Sequence, residues 1–150
     1  MAVIVAAHNE AGGIAATLAA LREALPDATL WVGDDASSDA TGERAIAAGA
    51  QLVTRRRPHG KGANVTAAAA AALGVDPAPE LFLLCDADLG ATAGELPRLV
   101  ESVERGECDL AIAAFREPVG GGFGLAVGFA RRTIEDELPA GEELLTRPGH

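Results

Sequence analysis

Short apolar runs alternate along this chain with stretches whose apolar residues recur every three or four positions. Val3, Ile4 and Val5 centre a first strand over residues 2–7. Ile14, Leu18, Leu21 and Leu25 recur at helical spacing across 11–25, and Pro26 stops that helix. A second strand is predicted at 29–33, a short helix at 40–48 ended by Gly49, and a third strand at 51–54. The basic loop Arg55-Arg56-Arg57-Pro58-His59-Gly60-Lys61-Gly62 leads into an alanine-rich helix over 63–73. Asp76-Pro77-Ala78-Pro79 reads as a turn before a fourth strand at 80–85. Thr92-Ala93-Gly94-Glu95 has capping-box spacing and predicts a helix over 93–105, with Leu96, Leu99, Val100 and Val103 as its buried stripe. A fifth strand is predicted at 109–115, then a glycine-rich loop from Val119 to Gly124. A last helix would take up most of the apolar set Phe123, Leu125, Val127, Phe129, Ile134 and Leu138.

Strands separated by helices of this length predict an α/β fold. The sheet is Rossmann-like and mainly parallel, with helices on both faces. Right-handed crossovers with a reversal after the third strand give the order 3-2-1-4, plus a further strand. One domain over 1–138 and a polar tail over 139–150 follow from the pattern. Three of the strands end in acid: the first leads to Asn9-Glu10, the second to Asp34-Asp35, the fourth to Asp86-Ala87-Asp88. In the order 3-2-1-4 these ends meet at the crevice where such sheets hold nucleotides.

Composition narrows the candidates. Twelve basic against 22 acidic residues give a net charge of -10, which argues against a nucleic-acid-binding face. A phosphate ligand would then need local features: a metal ion, backbone N–H groups or a few placed cations. Cys85 and Cys108 are too few and too far apart for a zinc site or a disulfide framework, and read as reduced, buried thiols of a cytoplasmic protein. No stretch reaches the roughly 18 apolar residues that span a membrane. The start reads as a strand and not as a signal peptide, so membrane contact is expected only if a missing segment supplies it.

Asp86 and Asp88 place two hard oxygen donors at a sheet rim, suited to Mg²⁺ or Mn²⁺ that takes its other ligands from phosphate and water. The competing reading is a loop acid that caps the next helix, a task Thr92 could already perform. In Asp34-Asp35-Ala36-Ser37-Ser38-Asp39, Asp34 reads as ligand-binding and Asp39 as structural, with Asp35 open; Ser38 or Asp39 could cap the following helix. Glu10 could reach a ribose hydroxyl or base edge, or Asn9 or Glu10 could merely cap the first helix. Lys61, between two glycines at a helix start, can put a cation and N–H groups near phosphate, although the glycine spacing is not that of a Walker A loop. Arg116, after the fifth strand, could touch a phosphate, whereas Arg55 to Arg57 read as a solvated charge run. His8 and His59 lack His or Cys partners at metal-ligand spacing.

In this order the segments resemble family-2 glycosyltransferases, whose nucleotide-sugar-binding half has the A-type glycosyltransferase fold. The resemblance is carried by Ala6-Ala7-His8-Asn9-Glu10, Asp34-Asp35-Ala36-Ser37-Ser38-Asp39-Ala40-Thr41, Gly60-Lys61-Gly62 and Asp86-Ala87-Asp88. The Asp-Ala-Asp-Leu form and Arg116 look most like the branch with polyprenyl-phosphate sugar transferases. The resemblance implies a UDP- or GDP-sugar donor, a divalent metal, and an acceptor such as polyprenyl phosphate or a small sugar-phosphate. Ala6, His8, Glu10 and Asp34 would line base and ribose, with Lys61, Ala87 and Arg116 completing the donor site. Asp86 would sit between ribose and metal, and Asp88 would ligate the metal. The sequence departs from the family pattern at Ala6, where a proline is usual, and at Ala36 and Ala40, where glycines are usual. The acceptor half that normally follows, and the catalytic base it often holds, have no counterpart, since Glu135-Asp136 reads as a solvated helix face and Arg131 and Arg132 as surface cations. Two rivals follow: a donor-binding domain that transfers nothing, and a sugar-phosphate nucleotidyltransferase. The latter is disfavoured because no cation follows the first strand in His8-Asn9-Glu10-Ala11-Gly12-Gly13.

Overall fold

A computed structural model describes residues 1–58 and 60–113. Its sheet has four strands, β1 (Ala2–Ala7), β2 (Thr29–Asp34), β3 (Gln51–Thr54) and β4 (Phe82–Asp86), in the order β3-β2-β1-β4. Every neighbouring pair is parallel, as expected for strands joined by helical crossovers. β1 lies inside the sheet and is covered on both faces, which is why all six of its residues are apolar and buried.

The pleat sorts the core into two layers. Val3, Val5, Leu30, Val32 and Leu83 face one side, against Ile14, Leu18 and Leu21 of α1 (Ile14–Ala24), Ala45 of α2 (Thr41–Ala47) and Val100 of α4 (Pro97–Glu104). Ala2 and Ile4 face the other, against Ala68 and Ala72 of α3 (Lys61–Leu73), with Trp31, Val53 and Phe82 packed around them. The alanine-rich sequence of α3 lets its backbone lie close to the strands.

The structure corrects four local expectations. Neither Asn9 nor Glu10 caps α1, whose first turn closes through backbone bonds from Gly13 and Ile14 to the Glu10 carbonyl. The Thr92–Glu95 capping box does not form. Gly90–Glu95 is a short 3₁₀ turn, Thr92 Oγ1 donates back to the Leu89 carbonyl at 2.7 Å, and α4 begins at Pro97, whose missing N–H suits a first helical turn. Residues 109–113 are not in a strand, and Leu110 and Ile112 are exposed, because an alternating pattern makes a strand only where a sheet edge pairs with it. Cys85 and Cys108 are free, as expected, but only partly buried. Arg116, the rest of the predicted fifth strand, the last helix and the boundary at 138 lie outside the described residues, as does His59.

Candidate functional site

The strand ends converge because of register. Ala6 of β1 stands opposite Gly33 on β2 and Asp86 on β4. With strands spaced about 4.8 Å apart, Gly33 and Asp86 lie on the order of 10 Å apart on either side of β1, at the sheet edge where strand order reverses. Opposed residues share a face, so the Asp86 side chain leaves the sheet on the Ala2–Ile4–Ala6 side, the side that α3 covers. Lys61 begins α3, and its Nζ forms an ion pair with Asp86 Oδ1. Gly60, at φ +85°, turns the chain sharply into that helix. The Gly-Lys-Gly segment and the Asp-x-Asp segment are thus one site in space.

Asp88 lies just past β4 and is exposed. Ala87, between the acids, is 1% exposed; its N–H donates to the Ala6 carbonyl at 3.1 Å and its carbonyl accepts from Thr17 Oγ1 at 2.7 Å. Ala87 therefore sets the spacing of the two acids, turning Asp88 outward. Thr17 is fully buried on α1 and also accepts from the Gly90 N–H at 2.8 Å, so one hydroxyl holds both ends of the loop that carries Asp88. Sequence reasoning passed over Thr17; its one signal is a polar residue inside the Ile14–Leu18–Leu21 stripe.

A second cluster builds the rim beyond β1 and β2. Asn9, at φ 56°, accepts from the Ser38 N–H at 2.8 Å through Oδ1, while its own N–H donates to Ser37 Oγ at 2.8 Å. The Glu10 N–H donates to Thr41 Oγ1 at 2.8 Å, which leaves the half-exposed Glu10 carboxylate outside this backbone network. His8 Nδ1 lies 2.8 Å from the Asp35 carbonyl, an acceptor only, and Asn9 Nδ2 lies 3.2 Å from His8 Nε2. Those partners assign the Nδ1–H tautomer to His8. Asp35 Oδ2 accepts from the Gly60 N–H at 2.9 Å, tying the rim to the start of α3. Asp39 knits the same rim by accepting from the N–H groups of Thr41 at 3.0 Å and Ala11 at 3.1 Å. The Thr41 hydroxyl, aided by these backbone donors against a smaller opposing effect of burial, holds the Asp39 carboxyl below its ordinary value.

Asp34 is placed differently from Asp86. It pairs with Ala7, one residue on from Ala6, so its side chain emerges on the opposite face. It is 5% exposed and accepts from Thr54 Oγ1 at 3.2 Å, the Ser37 N–H at 3.3 Å and the Ser37 hydroxyl. Ala6 is buried in β1. Under Gly33, the buried Asn64 of α3 donates to the Gly33 carbonyl, and its own Oδ1 has no partner among the described residues. Cys85, behind Asp86, has its thiol pushed up to about 12, chiefly by burial and then by the Asp86 charge, against an opposing effect of Lys61.

The two acids fit a hard divalent cation. Both are oxygen donors, Asp86 is 42% exposed and already holds a cationic group, and Asp88 opens to solvent. Among the described residues no group of three or more His, Cys, Asp or Glu side chains could hold a metal ion. Mg²⁺ or Mn²⁺ can be held by one or two carboxylates, completing its shell from phosphate and water. Among the described residues no helix is long and apolar enough to cross a membrane.

The model of glycosyl transferase family 2 matches residues 2–133. Over 122 residues, 78% of this chain, the sequence is 32% identical to an undecaprenyl-phosphate mannosyltransferase of Micrococcus luteus. Among solved structures it resembles glucosyl-3-phosphoglycerate synthase of Mycobacterium tuberculosis, at a TM-score of 0.59 and 30% identity over 71% of this chain. A complex of that synthase with Mn²⁺, UDP and glucosyl-3-phosphoglycerate matches at a TM-score of 0.58 and 27% identity over 68% of this chain. The chain spans 49% of the mannosyltransferase and 40% of the synthase.

Proposed function

The chain belongs to glycosyl transferase family 2, and from that membership we propose that it is the donor-binding part of a glycosyltransferase, taking a UDP- or GDP-sugar together with Mg²⁺ or Mn²⁺. The observation that carries this reading is the ion pair of Lys61 with Asp86 at the carboxyl edge of β4, two residues before the exposed Asp88 and on the strand next to β1, which leads into the rim of His8, Asn9 and Glu10. An anionic diphosphate fits between a lysine and a carboxylate-held cation. A nucleoside fits the adjoining crevice beneath the rim.

In this reading Asp88 is the principal metal ligand and Asp86 stands between metal and ribose. Lys61 binds a phosphate oxygen. Glu10 and His8 meet the ribose and base, with Ala6 forming the floor. Asp34 lines the base pocket, its carboxylate accepting from Ser37 and Thr54 with lone pairs to spare for a base N–H. Ala87 fixes the spacing of the two acids, and Arg116 adds a second cation for phosphate. A bound divalent cation would supply Lewis-acid neutralisation of the nucleoside diphosphate as it leaves. The likeness to a synthase solved with UDP and Mn²⁺ favours UDP and Mn²⁺ as first probes. The acceptor is proposed as a phosphate-bearing molecule, a polyprenyl phosphate or a small sugar-phosphate, after the undecaprenyl-phosphate enzyme and the phosphoglycerate enzyme. The same reading places the domain in the cytoplasm, away from nucleic acid, with membrane contact only through a segment other than those described.

Asp88→Ala tests it. Among the described residues the exposed side chain makes no hydrogen bond or ion pair, so circular dichroism and the melting temperature should match those of the unmodified chain. Metal-dependent nucleotide binding should be lost. Unchanged nucleotide affinity in this variant would sink the proposal.

A further inference from the structure

Lys61 and Asp86 are both about half exposed, at 51% and 42%, yet their charged atoms are in direct contact. Two such side chains on the rim of a crevice gain little from pairing when both can be hydrated. The geometry nevertheless brings them together from elements far apart in sequence, the first residue of α3 and the last residue of β4. Both positions are fixed by backbone: Asp86 by its register with Ala6, and Lys61 by the Gly60 turn, whose N–H is held by Asp35. The ammonium therefore lies where a cation bound to Asp86 would lie.

Resting on the donor-site reading above, we propose that Lys61 is a built-in competitor for the metal. It occupies Asp86 when no nucleotide is present and moves to the diphosphate when one arrives. The exchange is a movement of one ion-pair partner, with no covalent change. Lys61 leaves a carboxylate that a divalent cation then takes, and pairs with a phosphate oxygen instead. Binding of metal and of nucleotide is thereby coupled: each removes part of the obstacle to the other. Without nucleotide, the lysine keeps the metal weakly held.

The test is Mn²⁺ binding to the full 150-residue chain, read by the loss of the free Mn²⁺ signal in electron paramagnetic resonance, without any turnover. Removing the competitor in Lys61→Ala should tighten binding of Mn²⁺ alone by roughly 1.5- to 5-fold, the range of a half-exposed ion pair. Lys61→Arg keeps a cation there and should retain weak binding. The factor by which UDP tightens Mn²⁺ binding should shrink in Lys61→Ala. Mn²⁺ binding that is unchanged or weaker in Lys61→Ala overturns the proposal. Asp88→Asn separates this from failure of the underlying reading. If Asp88→Asn weakens Mn²⁺ binding while Lys61→Ala leaves it unchanged, the competitor idea alone falls. If Asp88→Asn has no effect, or neither unmodified chain nor Lys61→Ala binds Mn²⁺, the donor-site reading falls and the competitor with it.

Discussion

Replacing Thr17 by valine removes one hydroxyl and keeps the shape of the side chain. Thr17 is fully buried, and its Oγ1 serves the Ala87 carbonyl at 2.7 Å and the Gly90 N–H at 2.8 Å. Valine would leave the Ala87 carbonyl without its donor in a place water cannot reach. A buried unmet polar group costs about 1–3 kcal/mol, and loss of the partly buried Gly90 bond brings the expected destabilisation to about 2–4 kcal/mol. That is a large part of the ~5–15 kcal/mol that holds an ordinary domain. In urea unfolding the midpoint should fall by about 1–2 M with little change in slope. Thr17→Ser keeps the hydroxyl and loses one buried methyl, and should cost only about 1 kcal/mol. Because the hydroxyl anchors the loop bearing Asp88, Thr17→Val should also weaken Mn²⁺-dependent nucleotide binding under conditions where the chain remains folded, and Thr17→Ser should largely restore it. A midpoint for Thr17→Val equal to that of the unmodified chain, or a serine variant less stable than the valine one, would refute the reasoning.

Gly33→Ala should destabilise the chain by about 1–3 kcal/mol and lower its melting temperature by roughly 2–10 °C. The new Cβ would stand 3.1 Å from both the Nδ2 and the backbone carbonyl oxygen of Asn64, so α3 must shift away from the sheet. Asp39→Asn should change the pH dependence of stability. The folded-state carboxyl lies below its ordinary 3.8, so its contribution is complete above that value and is lost as pH falls through the lower folded value. The difference in melting temperature between Asp39→Asn and the unmodified chain should therefore be largest above about pH 4 and shrink at lower pH; a difference independent of pH would count against the rim network.

The fold was legible in the sequence because short apolar runs alternate with helix-length segments, which leaves few sheet orders to consider. The order β3-β2-β1-β4, with acids at the ends of β1, β2 and β4, agrees with that reading. What escaped was decided by contacts between distant residues. Lys61 and Asp86 were each singled out, but only the alternation of the pleat puts them on one face, and the same alternation sends Asp34 to the other. Thr17 belongs to a helical stripe that reads as core, and nothing local says that its hydroxyl meets a loop 70 residues away. The Thr92–Glu95 segment has capping-box spacing, yet Gly90 at φ +55° and Pro97 move the helix start beyond it.

The most direct measurement of the central claim is calorimetric titration of UDP and of GDP into the chain, first with Mn²⁺ and then with EDTA. The account predicts that one nucleotide binds with Mn²⁺ and that this binding disappears in EDTA. Binding of neither nucleotide, or binding of equal strength in EDTA, would contradict it.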